Sequence, residues 1–318
     1  MRLRPNAYRW AGLSLTLFAA SCGGGGGGTT AIDGGGGTPV VPTVVHATPT
    51  LALTAAMAPE IAAQSVAVLT SLRDLSYEFL IDTNNLSLGN PTSSTICMGT
   101  GSISYTYLDD DHSGTVTPGD RVVIAAPGCE IAAFGNGSAT ATVLATDDSG
   151  AVDLRLVIEG GTLPYLRGWD WLPTLTGTLR VTLIAEEVWV RSEGALVFTF
   201  DAQKSFRASN LTARLRNDTS NDPPAHGIMG GLDIAFDTPV GAGGRLALDT
   251  DGLIAGEAPN VAPSPGSIVL RGAGGSGMHI ADAKPESPGW YLVTTDADGD
   301  GVEEARATIS YRDLFNAI

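Results

Sequence analysis

Hydrophobic and polar positions follow two different periods along this chain. Ile61, Ser65, Leu69 and Leu72 recur at helical spacing, with Val66, Val68 and Leu75 widening the apolar stripe. Pro59 suits a first helical position, and Glu60 suits the positive end of the helix dipole. Leu51 to Leu72 carries a single charge, so a transmembrane span competes with a buried helix. Pro59 and Glu60 would then sit near mid-bilayer, where a carboxylate costs about 2.5–3.5 kcal/mol. The pattern therefore predicts a helix buried on much of its circumference.

From Gly101 onward the period is two. Val152, Leu154, Leu156 and Ile158 alternate with Asp153, Arg155 and Glu159; Leu232, Ile234 and Phe236 alternate with Asp233 and Asp237. Leu196, Phe198 and Phe200, Leu246 and Leu248, and Ile309 and Tyr311 behave likewise. Turn signals separate these runs at Gly160-Gly161, Asn217-Asp218, Asp222-Pro223-Pro224, Gly241 to Gly244 and Pro263 to Gly266. Alternation predicts antiparallel strands with one buried face, and no βαβ rhythm supports a parallel sheet. The expected fold is mainly β: an antiparallel curved sheet, barrel or sandwich of about a dozen strands with one N-terminal apolar helix. Its length is compatible with one domain or two.

The N-terminus has the parts of an export signal in order. Arg2, Arg4 and Arg9 precede a short apolar stretch, Ala11 to Ala20, that ends in Ala19-Ala20-Ser21 before Cys22. This resembles the lipobox of bacterial lipoproteins, whose cysteine is acylated and becomes the new N-terminus. The family favours Leu where this chain has Ala19, and ordinary cleavage after Ser21 is the competing reading. The expected organisation is a signal peptide over 1–21, a lipidated Gly/Pro-rich tether over 22–50 that includes His46, and a β-rich domain over 51–318. Gly23, in place of Asp, implies by the same resemblance an outer-membrane address. A Gly-rich tether of this length reaches roughly 30 Å.

Charge narrows the partners. The formal charge is −16, and loss of Arg2, Arg4 and Arg9 makes the exported chain more negative still. A field of that sign repels nucleic acid and anionic headgroups, leaving the lipid anchor as the expected membrane contact.

Two segments have the spacing of calcium loops. Calcium takes about six to eight hard oxygens, which a loop of EF-hand type supplies from alternate positions around a glycine turn. Asp296, Asp298, Asp300 and Glu304 stand at positions one, three, five and nine, with Gly301 at six and the Val302 carbonyl at seven. Asp109, Asp111, Ser113 and Thr115 fill one, three, five and seven of an earlier loop, with Gly114 at six and Asp120 at twelve. Both resemble dockerin and EF-hand loops over the loop alone, because a strand is expected after each. The later loop also departs from that pattern with Ala307 at twelve. The alternative is a pair of Asp/Gly hairpin turns, but carboxylates at alternate positions repel one another in a bare turn. Calcium is expected at 296–304, with an even choice at 109–120; Asp249-Thr-Asp251-Gly252 has too few ligands and reads as a turn.

Cys97 and Cys129 form an even pair in a chain expected to mature in an oxidising compartment, and read as one disulfide. If 102–108 pairs with 121–126, the bridge closes the open end of that hairpin. Trp169 and Trp171 would share one face of an extended segment, giving either a sugar-stacking platform or ordinary core and edge residues. Trp290-Tyr291 reads as core. Catalytic motifs do not emerge: there is no Gly-x-Ser-x-Gly elbow and no His-Glu-x-x-His, and His226 and His279 stand alone.

Taken whole, the lipobox, the glycine tether, the Ala-rich helix and the segment from Pro265 through Asp296-Ala-Asp-Gly-Asp-Gly to Ile309-Ser-Tyr resemble outer-membrane lipoproteins of Gram-negative bacteria. The resemblance implies an address and no particular chemistry. The expected function is a non-enzymatic, lipid-anchored envelope module braced by calcium. The alternatives are a carrier holding a lipid between sheet and helix, and an adhesin-like glycan binder using Trp169 and Trp171.

Overall fold

The computed structural model describes residues 43–85, 92–96, 101–128, 136–148, 150–162, 174–184, 187–199, 205–218, 225–236, 243–255, 264–283 and 290–310. The expected signal peptide and Cys22, Cys97, Cys129, Trp169 and Trp171 fall outside these residues.

Residues 55–57 make a short 3-10 turn that leads into helix α1 (Ala58–Asn85). The strands follow in order: β1 (Thr92–Ile96), β2 (Ser102–Leu108), β3 (Arg121–Ala125), β4 (Ser138–Thr146) and β5 (Val152–Thr162). Then come β6 (Thr174–Ile184), β7 (Glu187–Ser192), β8 (Leu196–Thr199), β9 (Ser205–Asp218) and β10 (Ala225–Phe236). The last are β11 (Gly244–Ala255), β12 (Ser264–Arg271), β13 (Gly277–Asp282), β14 (Trp290–Asp296) and β15 (Ala305–Ser310). All belong to one antiparallel sheet in which neighbours in sequence are neighbours in space. β7 and β8 both lie between β6 and β9, so they are two halves of one interrupted strand.

The predicted alternation places the core. Leu154, Leu156 and Ile158 of β5, Leu232, Ile234 and Phe236 of β10, and Leu246 and Leu248 of β11 all join one buried cluster. Ile61, Leu69 and Leu72 of α1 belong to the same cluster. Every residue from Ile61 to Arg73 is buried, on all sides of the helix. A flat sheet would bury one stripe of a helix. Burial over the full circumference requires the sheet to curve around α1, which contacts β9, β10 and β14. Ser65 satisfies its buried hydroxyl by donating to the Ile61 carbonyl at 2.7 Å. The helix is long and apolar enough to cross a membrane by composition, yet most of that stretch lies inside the protein.

Several expected turns are strand irregularities instead. Gly160-Gly161 lies within β5, where the register against β6 shifts between Ile158 and Gly161. Asp249-Thr-Asp251-Gly252 lies within β11, and Gly252 (φ +86°) sits at the shift against β12 between Asp251 and Ile254. Asn217-Asp218 ends β9, and Pro265 and Gly266 belong to β12. At Gly160-Gly161 and Gly252 glycine relieves a bulge inside a continuing strand, which local sequence does not distinguish from a turn. Tyr291 is fully buried as expected, while Trp290 points to the more open side and is 36% exposed.

Residues 43–50 are the described part of the expected tether. They lie on the outer face of β10 and β11, where Thr50 and Leu51 donate backbone hydrogen bonds to the Arg245 carbonyl. The chain then turns inward: Leu51 and Leu53 are buried in the core just before the helix. Residues 41–318 form one compact unit.

Candidate metal centres

Among the described residues, acidic side chains converge in two places, and both are the loops picked out by spacing. One oxygen from each of Asp296, Asp298, Asp300 and Glu304 lies within 4.8 Å of the others, and the same holds for Asp109, Asp111 and Asp120. Each loop joins a hairpin and is followed by a strand: 109–120 links β2 to β3, and 297–304 links β14 to β15. Counting antiparallel strands along the sheet puts the two loops at opposite ends of it.

The backbone of both loops is the same at two critical positions. Positive φ occurs at the fourth and sixth residues, His112 (+56°) and Gly114 (+70°) in the first loop, Gly299 (+79°) and Gly301 (+86°) in the second. That conformation turns backbone N–H groups toward the carboxylates. In the second loop Asp296 accepts from Gly299 at 2.7 Å and Gly301 at 2.9 Å, and Asp300 accepts from Val302 at 2.8 Å. Glu304 accepts from the Ala297 N–H, so position nine closes the ring of carboxylates that Ala307, already paired with Val293 in β15, leaves open.

In the first loop Asp109 accepts from Ser113 at 3.1 Å and Gly114 at 2.9 Å. Hydrogen bonds from Ser113 and then Thr117 lower the Asp111 carboxyl to about 2. Asp110 faces away and pairs with Arg121. Asp120 is 1% exposed, and its Oδ2 accepts from the Tyr107 hydroxyl at 2.6 Å and the Thr117 N–H at 2.8 Å. Its Oδ1 accepts from the Asp110 N–H at 3.1 Å. Burial raises the Asp120 carboxyl, but these donors outweigh it and the net shift is downward. A carboxylate offers about four lone-pair directions, so Asp120 has room for one bond to a cation and none for a bidentate grip. Ser113 Oγ donates to the Thr115 carbonyl at 3.0 Å, tying those two expected ligands to each other. The second loop is thus the better donor set for a hard cation.

The second loop also rests on the point where the N-terminal chain turns inward. A Cβ on Gly299 would lie 2.8 Å from the Gly275 carbonyl carbon, in the short turn between β12 and β13. In that turn Ala273 donates to the Leu51 carbonyl at 2.8 Å, and Ser276 Oγ accepts from the Leu53 N–H at 2.9 Å.

One polar cluster was not foreseen. His46, expected in the tether, sits between two carboxylates: Nδ1 is 2.8 Å from Asp233 Oδ1, and Nε2 is 2.9 Å from Asp249 Oδ1. Asp233 is 1% exposed and also accepts from the Ala47 N–H and from Asn210 Nδ2. Asp249 pairs with Arg271. The hydrogen bond to Asp249 raises the His46 pKa against the opposing effect of burial. Burial pushes Asp249 up, but His46 and Arg271 outweigh it and hold the carboxyl down. His226 and His279 lie in β10 and β13.

Comparison with known protein families, with curated proteins and with solved structures gives no match.

Proposed function

We propose that this chain is a non-enzymatic, lipid-anchored module of the cell envelope, attached to the outer membrane through Cys22 and acting through the outer surface of its sheet. The observation that favours this reading over a lipid carrier is the burial of the helix among the inward side chains of the sheet. Ile61, Leu69 and Leu72 pack in one cluster with inward side chains from strands β2 to β14. A ligand carrier needs a cavity of roughly 300–1,000 Å³, and in this fold the helix occupies the space where such a ligand would sit. Calcium at 296–304 is part of the proposal. Four convergent carboxylates on backbone N–H groups suit a cation that takes about six to eight oxygens. Calcium at 109–120 is the weaker half, because Asp120 is largely engaged.

The test is mass spectrometry of the protein purified in mild detergent from bacterial envelopes. The expected result is an N-terminal peptide beginning at acylated Cys22 and no stoichiometric free lipid. A free acyl ligand at one per chain would favour the carrier, and an unmodified N-terminus would remove the anchor.

A further inference from the structure

The outer face of β9 to β11 is shaped to receive residues 43–47, and the fit depends on charge. Asn210 adopts a left-handed conformation (φ +54°), rare in a strand, where the register of β9 against β10 shifts. From there its amide donates to Asp233 Oδ2 at 2.7 Å. Gly231 forms the floor: a Cβ there would lie 2.3 Å from Asp249 Oδ1 and 3.1 Å from the Val44 side chain. One bulge, one left-handed asparagine and one glycine floor therefore meet at a single contact, the docking of His46.

Both ring nitrogens of His46 face carboxylate oxygens. Only the imidazolium carries a proton on each nitrogen; the neutral ring would turn a lone pair toward one carboxylate. The charges packed around it are Asp233 from β10, Asp249 from β11 and, through Asp249, Arg271 from β12; β9 contributes the neutral Asn210. Loss of the proton leaves the nearly buried Asp233 without its cation.

We infer that residues 43–47 are a proton-held strap, docked while His46 is an imidazolium and released when it becomes neutral. Thr50 to Leu53 stay in place on Arg245, Ala273 and Ser276, so the strap pivots at Thr50. Release uncovers Asp233, which is 1% exposed while the strap is docked. Docking itself does not depend on what lies N-terminal to residue 43.

Amide hydrogen exchange of the full chain, read by mass spectrometry from about pH 5 to 9 with labelling times corrected for intrinsic rates, tests this. The expected result is about a tenfold or greater loss of protection at 43–47 as pH rises, with β10 unchanged. Asp249→Asn should move the midpoint to lower pH, which a merely structural contact would not do. His46→Gln should leave the strap weakly protected at every pH. Protection of 43–47 that ignores pH in the native chain, or an identical pH profile in His46→Gln, would overturn the proposal.

Discussion

The Tyr107 hydroxyl donates a 2.6 Å hydrogen bond to Asp120 Oδ2, tying the end of β2 to the residue just before β3. Burial, then Asp120 itself, pushes the phenol well above its usual range, so it remains a donor at any working pH. Tyr107→Phe keeps the ring in the core and removes one donor from a buried carboxylate. The expected cost is about 1.5–3 kcal/mol, the range for hydrogen bonds to charged groups. Urea unfolding checks it, and a change below about 0.5 kcal/mol would mean that Thr117 and Asp110 alone satisfy Asp120.

The same hairpin shows what sequence can carry. Asp109, Asp111, Gly114 and Asp120 lie within one short loop, so their spacing determines which atoms meet. The β5 and β10 alternation is equally local, since each buried side chain is two residues from the next. His46 was out of reach for the opposite reason. Its partners are 187 and 203 positions away, and nothing near it repeats. Asp249 looks like part of a turn because Asp-Thr-Asp-Gly has turn composition, whereas the strand absorbs Gly252 as a bulge. Long-range pairing decides such cases, and periodicity is blind to it.

Calcium binding to 296–304 predicts a rise in melting temperature. At free calcium about one hundred times Kd, a ligand that binds only the folded state adds about 2.7 kcal/mol, or roughly 5–10 °C for a chain of this size. Asp298→Asn, which keeps an acceptor for the Asp300 N–H but loses the charge, should abolish the rise. Asp111→Asn should leave most of it. A midpoint unmoved by calcium and by chelator would reduce both loops to turns.

The strap should also leave a signature in overall stability. The His46 pKa is raised in the folded state, so its contribution is complete below the unfolded value and lost as pH rises through the folded one. The Asp249 pKa is lowered, so its contribution is complete above the unfolded value and lost as pH falls through the folded one. The stability difference between the native chain and His46→Gln is therefore expected to be bell-shaped in pH, largest between the unfolded values of the two groups and falling off toward each folded value. Denaturant midpoints across the range measure it. A difference that is flat on the alkaline side would contradict the assignment of His46 as the titrating group.

Leu69 is 1% exposed at the centre of the enclosed helix, so truncating it distinguishes a filled interior from a hollow one. In a close-packed core, Leu69→Ala loses the transfer free energy of the removed atoms and leaves a cavity its neighbours only partly fill, for about 2–5 kcal/mol. In a sheet built to hold a ligand, Leu69 would line a space already open on one side. Its truncation would then approach the lower cost of transfer alone, and added fatty acid would recover stability. Urea unfolding with and without a long-chain fatty acid separates these outcomes. The packing of Leu69 with Ile61 and Leu72 in one cluster predicts the full cost and no recovery.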